Sequence, residues 1–159
     1  MTTPPPMETL TELKINDALK QKVMDAYVPN DWPIIVAYVD EQGRPGMSYR
    51  GSLVVVSETQ LGMWARNPEG STSGALPRNP NLTAVYREPT PDHGRSAAVV
   101  TFKGKGRVAA AGDPLRDQVY ATMPQRERDA DAEKKGVAII IDLDSVTGFI
   151  PGYRLQMTK

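Results

Sequence analysis

Short runs of β-branched and aromatic residues, each bounded by turn-forming residues, recur through the middle of the chain. Residues 34–39 (IIVAYV) are too short and too β-branched for a buried helix, and they lead through the turn DEQGRPG into the run MSYRGSLVVV. This arrangement predicts a β-hairpin. Similar patterns predict further strands at 61–66, at 82–88, within SAAVVTFKGKGRVAAAG and within VAIIIDLDSVTGFIPG. The run SAAVVTFKGKGRVAAAG contains three glycines and is long enough for two strands, or for one strand bent at its glycines.

Two segments have apolar residues at helical spacing. The first begins after the capping residue Asn16 and ends at Pro29. Its apolar positions on one face are Leu19, Val23, Ala26 and Tyr27. The second spans 113–134, starts with the capping residue Asp113 and is interrupted at Pro124. The order of elements predicts a mostly β (α+β) fold, a small barrel of six or so antiparallel strands with flanking helices.

Length and composition limit the remaining classes. A chain of 159 residues suits one domain, and we expect a mobile tail over 1–10, where three prolines are consecutive, and a single domain over 11–159. The formal net charge of zero disfavours nucleic acid and an anionic membrane as partners. The chain has no cysteine, and its start, MTTPPPMETL, lacks the basic and apolar regions of a secretory leader, so we expect a cytoplasmic protein.

Two sequence motifs and the spacing between them resemble those of a known family. VDEQGRPG is similar to the first hairpin of the pyridoxamine 5'-phosphate oxidase-like proteins, and LPRNPNLTAVY is similar to their L-x-x-N-P turn and the strand that follows it. The resemblance covers roughly residues 13–150. It implies the FMN-binding split β-barrel fold and a homodimer with FMN between the protomers. It also implies an FMN-dependent oxidoreductase that acts on a small aromatic or heteroaromatic molecule.

The resemblance also implies where the cofactor lies. The phosphate falls on the strand MSYRGS and on the loop and short helix EGSTSGAL, and the flavin ring falls on the strand ending MWAR. The residues implied for cofactor binding are Arg50, Ser52, Trp64, Ala65, Arg66, Ser71, Thr72 and Ser73. Hydroxyl groups and the N–H groups of a helix start are ready phosphate donors. The candidate substrate-binding aromatics are Tyr49, Trp32 and Tyr153. No side-chain acid or base is required, because the hydride transfer belongs to the flavin.

The chain departs from the family pattern at Ser71 and Thr72, where relatives usually carry a basic pair. A flavin phosphate carries nearly two negative charges, and a charge-assisted hydrogen bond is about twice as strong as a neutral one. Other cations therefore have to supply the missing charge. Arg50 on the phosphate-facing strand and Arg66 at the end of the ring-facing strand are better placed than Arg78.

The missing basic pair leaves a second hypothesis open, in which the barrel has lost FMN and binds a deazaflavin, a haem or a small aromatic ligand, with or without catalysis. His93, the one histidine, lies in the turn PDHGR and is interpreted as an exposed loop residue, with an axial haem ligand as its alternative. Asp142 and Asp144 alternate near a strand end, but no histidine or glutamate completes a ligand set, so we expect no metal.

Overall fold

The computed structural model describes residues 6–92 and 94–159, which contain nine strands and four helices. The strands are β1 (Glu8–Glu12), β2 (Ile34–Val39), β3 (Pro45–Arg50), β4 (Val54–Ser57), β5 (Gln60–Ala65), β6 (Asn81–Pro89), β7 (Ser96–Ala109), β8 (Val137–Ile150) and β9 (Tyr153–Thr158). The helices are α1 (Asp17–Asp25), α2 (Ser71–Ala75), α3 (Pro114–Thr122) and α4 (Gln125–Asp129). The predicted mostly β fold with flanking helices is confirmed.

The sheet divides in the middle of its long strand β8. One edge of β8 pairs with β7, while on the other edge residues 137–142 pair with β5 and residues 145–150 pair with β9. The main path runs β1-β9-β8-β7-β6-β2-β3, and β4 extends the second branch by pairing with β5. All of these pairs are antiparallel except β1 with β9.

The structure has more strands than the six or so expected from the sequence. MSYRGSLVVV is not one strand, because the chain turns at 51–53 and so separates β3 from β4. SAAVVTFKGKGRVA is a single strand, β7, and its register shifts between Lys103 and Gly104. A Cβ atom on Gly104 would lie 2.2 Å from the carbonyl oxygen of Asp142, so the bend depends on glycine there.

The predicted helix starts are confirmed. The Asn16 side chain accepts a hydrogen bond from the backbone N–H of Leu19 at 2.8 Å, and Asp113 does the same for Leu115 at 2.9 Å. The segment predicted over 113–134 is two short helices that meet at Pro124. No helix in the described part of the chain is long and apolar enough to cross a membrane.

The sheet begins earlier than the sequence suggested. β1 starts at Glu8 and pairs with β9, so residues 8–10 belong to the sheet and not to the tail predicted over 1–10. Leu10 packs against the main core, which anchors this strand. This five-residue strand was not predicted because it has a single apolar residue, at its centre, and follows closely after three consecutive prolines.

Two apolar clusters lie on opposite sides of β5. The main cluster fills the interior of the sheet and includes Met63 and Ala65. The second, smaller cluster lies under α3 and includes Trp64 and Tyr120. Because successive side chains of a strand point to opposite faces, neighbouring residues of β5 serve these two clusters.

Candidate anion-binding site

A pocket of about 240 Å³ opens where the end of β5 leads into α2, beside the end of β3. It is lined by Arg50, Ala65, Arg66, Asn67, Gly70, Ser71, Thr72 and Ser73. Six of these eight residues are ones that the sequence analysis assigned to a cofactor. We call this space the anion pocket because two of its lining residues are arginines.

The loop over 66–70 carries α2 to the side of Arg50. The Asn67 side chain accepts a hydrogen bond from the backbone N–H of Glu69 at 3.0 Å, and its carbonyl accepts one from Gly70 at 3.0 Å. A Cβ atom on Gly70 would lie 3.1 Å from that carbonyl oxygen, which favours glycine there. Asn67 was not among the residues predicted from the sequence, although an Asn-Pro pair before a short helix is a turn signal that could have identified it.

Arg50 is the central side chain of the anion pocket. Its Nη2 donates a hydrogen bond to the Thr72 hydroxyl at 2.7 Å, while its Nε is buried and has no partner among the described residues. No carboxylate within residues 6–92 and 94–159 forms an ion pair with Arg50 or with Arg66. A half-buried guanidinium with an unused donor favours an anionic ligand.

Burial lowers the pKa of Arg50 below its usual value, and the nearby charge of Arg66 acts in the same direction, while Tyr38 and Glu127 oppose the shift. An arginine side chain remains protonated in proteins despite such a shift. The lowered pKa follows mainly from the burial of Arg50, and the second cation, Arg66, adds to the cost of its charge. An anion bound between the two guanidinium groups would relieve both effects.

The hydroxyl groups of α2 complete the anion pocket. Thr72 and Ser73 are buried, Ser71 is exposed, and the Ser73 hydroxyl has no hydrogen-bond partner in the described chain. Gly70 precedes the helix and provides no side-chain cap for its N–H groups. The pocket lining therefore includes two side chains, Arg50 and Ser73, each with a buried donor that has no partner in the described chain.

No family model matches the sequence, and no curated protein matches it. Known structures do match it. The heme storage protein HutZ of Vibrio cholerae gives a TM-score of 0.64 at 18% identity, over 90% of this chain and 99% of its own. A candidate pyridoxamine 5'-phosphate oxidase of Lactobacillus delbrueckii gives 0.58 at 17%, over 88% and 98%. An FMN-binding protein of Syntrophomonas wolfei gives 0.58 at 9%, over 81% and 84%.

The chain has the pyridoxamine 5'-phosphate oxidase-like split-barrel fold. The fold that the sequence resemblance implied is therefore confirmed. Identities of 9% to 18% show a shared fold, and the three relatives differ in the ligands that their names state. The cofactor of this split barrel has to be argued from its own residues.

Two predicted cofactor residues of the split barrel lie away from the anion pocket. Ser52 is 1% exposed, and its hydroxyl accepts a hydrogen bond from the backbone N–H of Trp64 at 3.0 Å and donates one to its carbonyl at 3.3 Å. The side chain of Ser52 therefore holds β5 in place and is not free to bind a phosphate. Its position beside Arg50 in the sequence gave no sign of this use.

Trp64 points to the opposite face of β5 from Ala65 and is 2% exposed. Its indole Nε1 donates to the Asp131 carboxylate at 2.9 Å, and its ring packs edge-on against Tyr120 at 5.0 Å. The guanidinium of Arg116 lies 5.1 Å from the indole centre. The Trp64 side chain therefore belongs to the second apolar cluster and does not line the anion pocket.

The predicted substrate aromatics do not meet at the anion pocket. Tyr49 is 72% exposed and points away from Arg50, as expected for neighbouring residues of β3. Trp32 is half-buried in the loop before β2, and Tyr153 begins β9, which lies far along the sheet from β3. The predicted role of His93 falls outside the described residues.

Arg78 is the cation that the sequence analysis placed last, and its side chain lies outside the anion pocket. It forms an exposed ion pair with Glu41 at 2.7 Å. A cation with its own carboxylate partner is a poor substitute for the missing basic pair. Arg50 and Arg66 remain as the two arginines that line the pocket.

Proposed function

We propose that this split barrel is an FMN-dependent oxidoreductase that acts on a small aromatic or heteroaromatic molecule and holds the FMN phosphate in the anion pocket. The observation that carries the proposal is the under-compensated pair of Arg50 and Arg66 beside the hydroxyl groups of α2. A phosphate with nearly two negative charges matches two guanidinium groups in charge. The buried Arg50 Nε and the Ser73 hydroxyl supply donors that lack other partners.

The arginines and the hydroxyl groups of the pocket contribute to phosphate binding in different ways. Arg50 and Arg66 neutralise the phosphate charge, and the Ser71, Thr72 and Ser73 hydroxyls donate hydrogen bonds to its oxygens. The hydrogen bond from Arg50 to Thr72 keeps the guanidinium in position before the ligand arrives. When bound, FMN supplies hydride transfer at its ring, and the protein contributes orientation and electrostatics.

A second copy of the chain completes the proposed site. Met47 and Tyr49 on the edge strand β3 are 73% and 72% exposed, and their cross-strand neighbours Ala37 and Ile35 continue the apolar surface onto β2. Large exposed apolar patches mark association surfaces. We therefore propose a homodimer through this face, with the flavin ring between the protomers, since the described part of one chain offers no aromatic side chain to the anion pocket.

The direct test is an absorbance spectrum of the purified protein, repeated after incubation with FMN and desalting. We expect a retained flavin band in the wild type and its loss in the double variant Arg50→Ala, Arg66→Ala. The variant Arg78→Ala is the matched control, because it removes an arginine outside the pocket. A wild type without a flavin band would overturn the proposal, and a band that survives the double variant would overturn the phosphate assignment.

Haem is the alternative that a named relative supports, because HutZ is a heme storage protein with the same fold. The two carboxylates of a haem would also pair with Arg50 and Arg66. The same experiment with haem separates the two ligands. A haem absorbance band that survives desalting, without a retained flavin band, would favour a haem-binding split barrel. Retention of a deazaflavin alone would indicate the other alternative cofactor.

A further inference from the structure

A second pocket, of about 220 Å³, lies between α1, the turn from β3 to β4 and the turn from α3 to α4. We call it the apolar pocket. Its walls include Val23, Ala26, Ile34, Leu53 and Val54, each at most 5% exposed. Arg50 is the one described residue that lines both this pocket and the anion pocket.

The polar side chains at the rim of the apolar pocket have partners of their own. The Thr122 hydroxyl donates to the Gln118 carbonyl at 2.6 Å, and the Gln125 amide donates to Asp129 at 2.6 Å. Arg50 differs, because its buried Nε has no partner in the described chain. The polar group left for a ligand is therefore a cation at one end of an apolar space.

Gly51 lets two side chains approach the backbone closely beside the apolar pocket. A Cβ atom on Gly51 would lie 2.7 Å from the Tyr27 ring and 2.8 Å from a carboxylate oxygen of Glu127, so glycine lets both side chains close on the backbone. Tyr27 adds an aromatic wall to the pocket. Glu127 lies near Arg50 and offsets part of its charge.

We propose that the apolar pocket binds a small aromatic monocarboxylate, with its carboxylate at Arg50 and its ring against Ile34, Leu53 and Tyr27. The apolar walls exclude a strongly hydrated ligand, and the buried guanidinium favours an anionic end over a neutral one. This site shares Arg50 with the anion pocket, so the guanidinium has to be free of any phosphate or cofactor in that pocket before a carboxylate can pair with it here.

Benzoate is the probe, and benzamide is its neutral counterpart of the same shape. We expect calorimetric titration of the full-length wild type to show benzoate binding at least about tenfold tighter than benzamide, because only benzoate pairs with Arg50. Equal affinity for the two, or no binding of benzoate, would overturn the proposal. The titration is run in a buffer without phosphate, so that Arg50 is not already paired.

Thr122→Phe locates the binding, because it places a ring in the mouth of the apolar pocket from an exposed helix position. We expect it to weaken benzoate binding at least about tenfold, and Gln125→Phe to do the same from the other side of the turn. Ala121→Phe is the matched control, since Ala121 is exposed on the same helix and does not line the pocket. Benzoate binding unchanged by both pocket variants would place the ligand elsewhere and contradict the proposal. FMN retention by these variants reports separately on the anion pocket.

Discussion

The two faces of β5 differ in how completely their polar groups are paired. On the face of Trp64, Asp131 accepts hydrogen bonds from the indole and from the backbone N–H groups of Lys135 and Gly136. On the face of Ala65, the neighbouring anion pocket has the unpartnered Arg50 Nε and Ser73 hydroxyl. Residues next to each other in one strand thus contribute to a cluster that stabilises the fold and to a pocket that keeps donors for a ligand.

Trp64→Ala gives the largest expected effect and tests the structural face. Removing a 2% exposed tryptophan leaves a cavity and takes away one of the three hydrogen bonds to Asp131, so we expect the free energy of unfolding to fall by about 3–5 kcal/mol. Urea denaturation followed by circular dichroism measures it. Trp32→Ala is the control, since the half-buried Trp32 lies outside both apolar clusters. Equal losses of unfolding free energy for the two variants would mean that packing in the second apolar cluster stabilises the fold no more than the half-buried Trp32 does.

Asp131→Asn comes next, with an expected loss of about 1.5–3 kcal/mol, because a charged acceptor of three hydrogen bonds becomes neutral. Burial acts to raise the pKa of Asp131, but the hydrogen bonds from Trp64, Gly136 and Lys135 outweigh it and hold the pKa below its usual 3.8. The stability that this carboxylate contributes is therefore present above the unfolded pKa of about 3.9 and is lost as the pH falls through the folded pKa.

The pH dependence distinguishes this explanation from a general packing defect. We expect tryptophan fluorescence during urea unfolding to show a wild-type stability that declines as the pH falls below about 4, with a shallower decline for Asp131→Asn. Parallel declines for the two proteins would show that another carboxylate causes the acid sensitivity.

Arg50→Met is expected to change stability little while it weakens anion binding. The substitution replaces a half-buried cation that lacks a carboxylate partner in the described chain with an apolar chain of similar length, and such exchanges are often neutral or stabilising. We expect the free energy of unfolding to stay within about 1 kcal/mol of the wild-type value or to rise. A loss as large as that of Asp131→Asn would make Arg50 a structural residue and would erase the difference between the two faces.

Arg78→Ala has the smallest expected effect. Its ion pair with Glu41 is exposed at both ends, 60% and 64%, so we expect a change in the free energy of unfolding below about 1 kcal/mol. Thermal unfolding measures it, and FMN retention is checked on the same sample. Loss of FMN in this variant would show that the anion pocket extends beyond the two arginines that line it.

The sequence predicted the parts of the molecule that local patterns encode. The helix starts at Asn16 and Asp113 follow from capping chemistry, and the grouping of Ser71 and Thr72 with Arg50 follows from the family resemblance. The orientation of Trp64 was missed for a physical reason. Residues 61–65 are all buried, so the alternation that would assign each side chain to a face is absent.

The apolar pocket could not be predicted from local patterns at all. Its lining comes from α1, β2, the β3–β4 turn and the α3–α4 turn, and Val23 and Gln125 are separated by most of the chain. Only the assembled fold brings these segments together. The division of MSYRGSLVVV at 51–53 was also not predicted, although Gly51 and Ser52 are residue types that turns favour.

The most direct test of the phosphate assignment compares FMN with riboflavin, which has the same ring and no phosphate. Calorimetric titration of the wild type should show FMN bound at least about tenfold more tightly than riboflavin, because charge-assisted hydrogen bonds from Arg50 act on the phosphate alone. In Arg50→Met the difference between the two affinities should shrink, because Arg66 and the α2 hydroxyls alone remain to bind the phosphate, while the folded protein remains as stable as the wild type. A wild type that binds the two flavins equally well, or an Arg50→Met variant that keeps the full difference, would contradict the account.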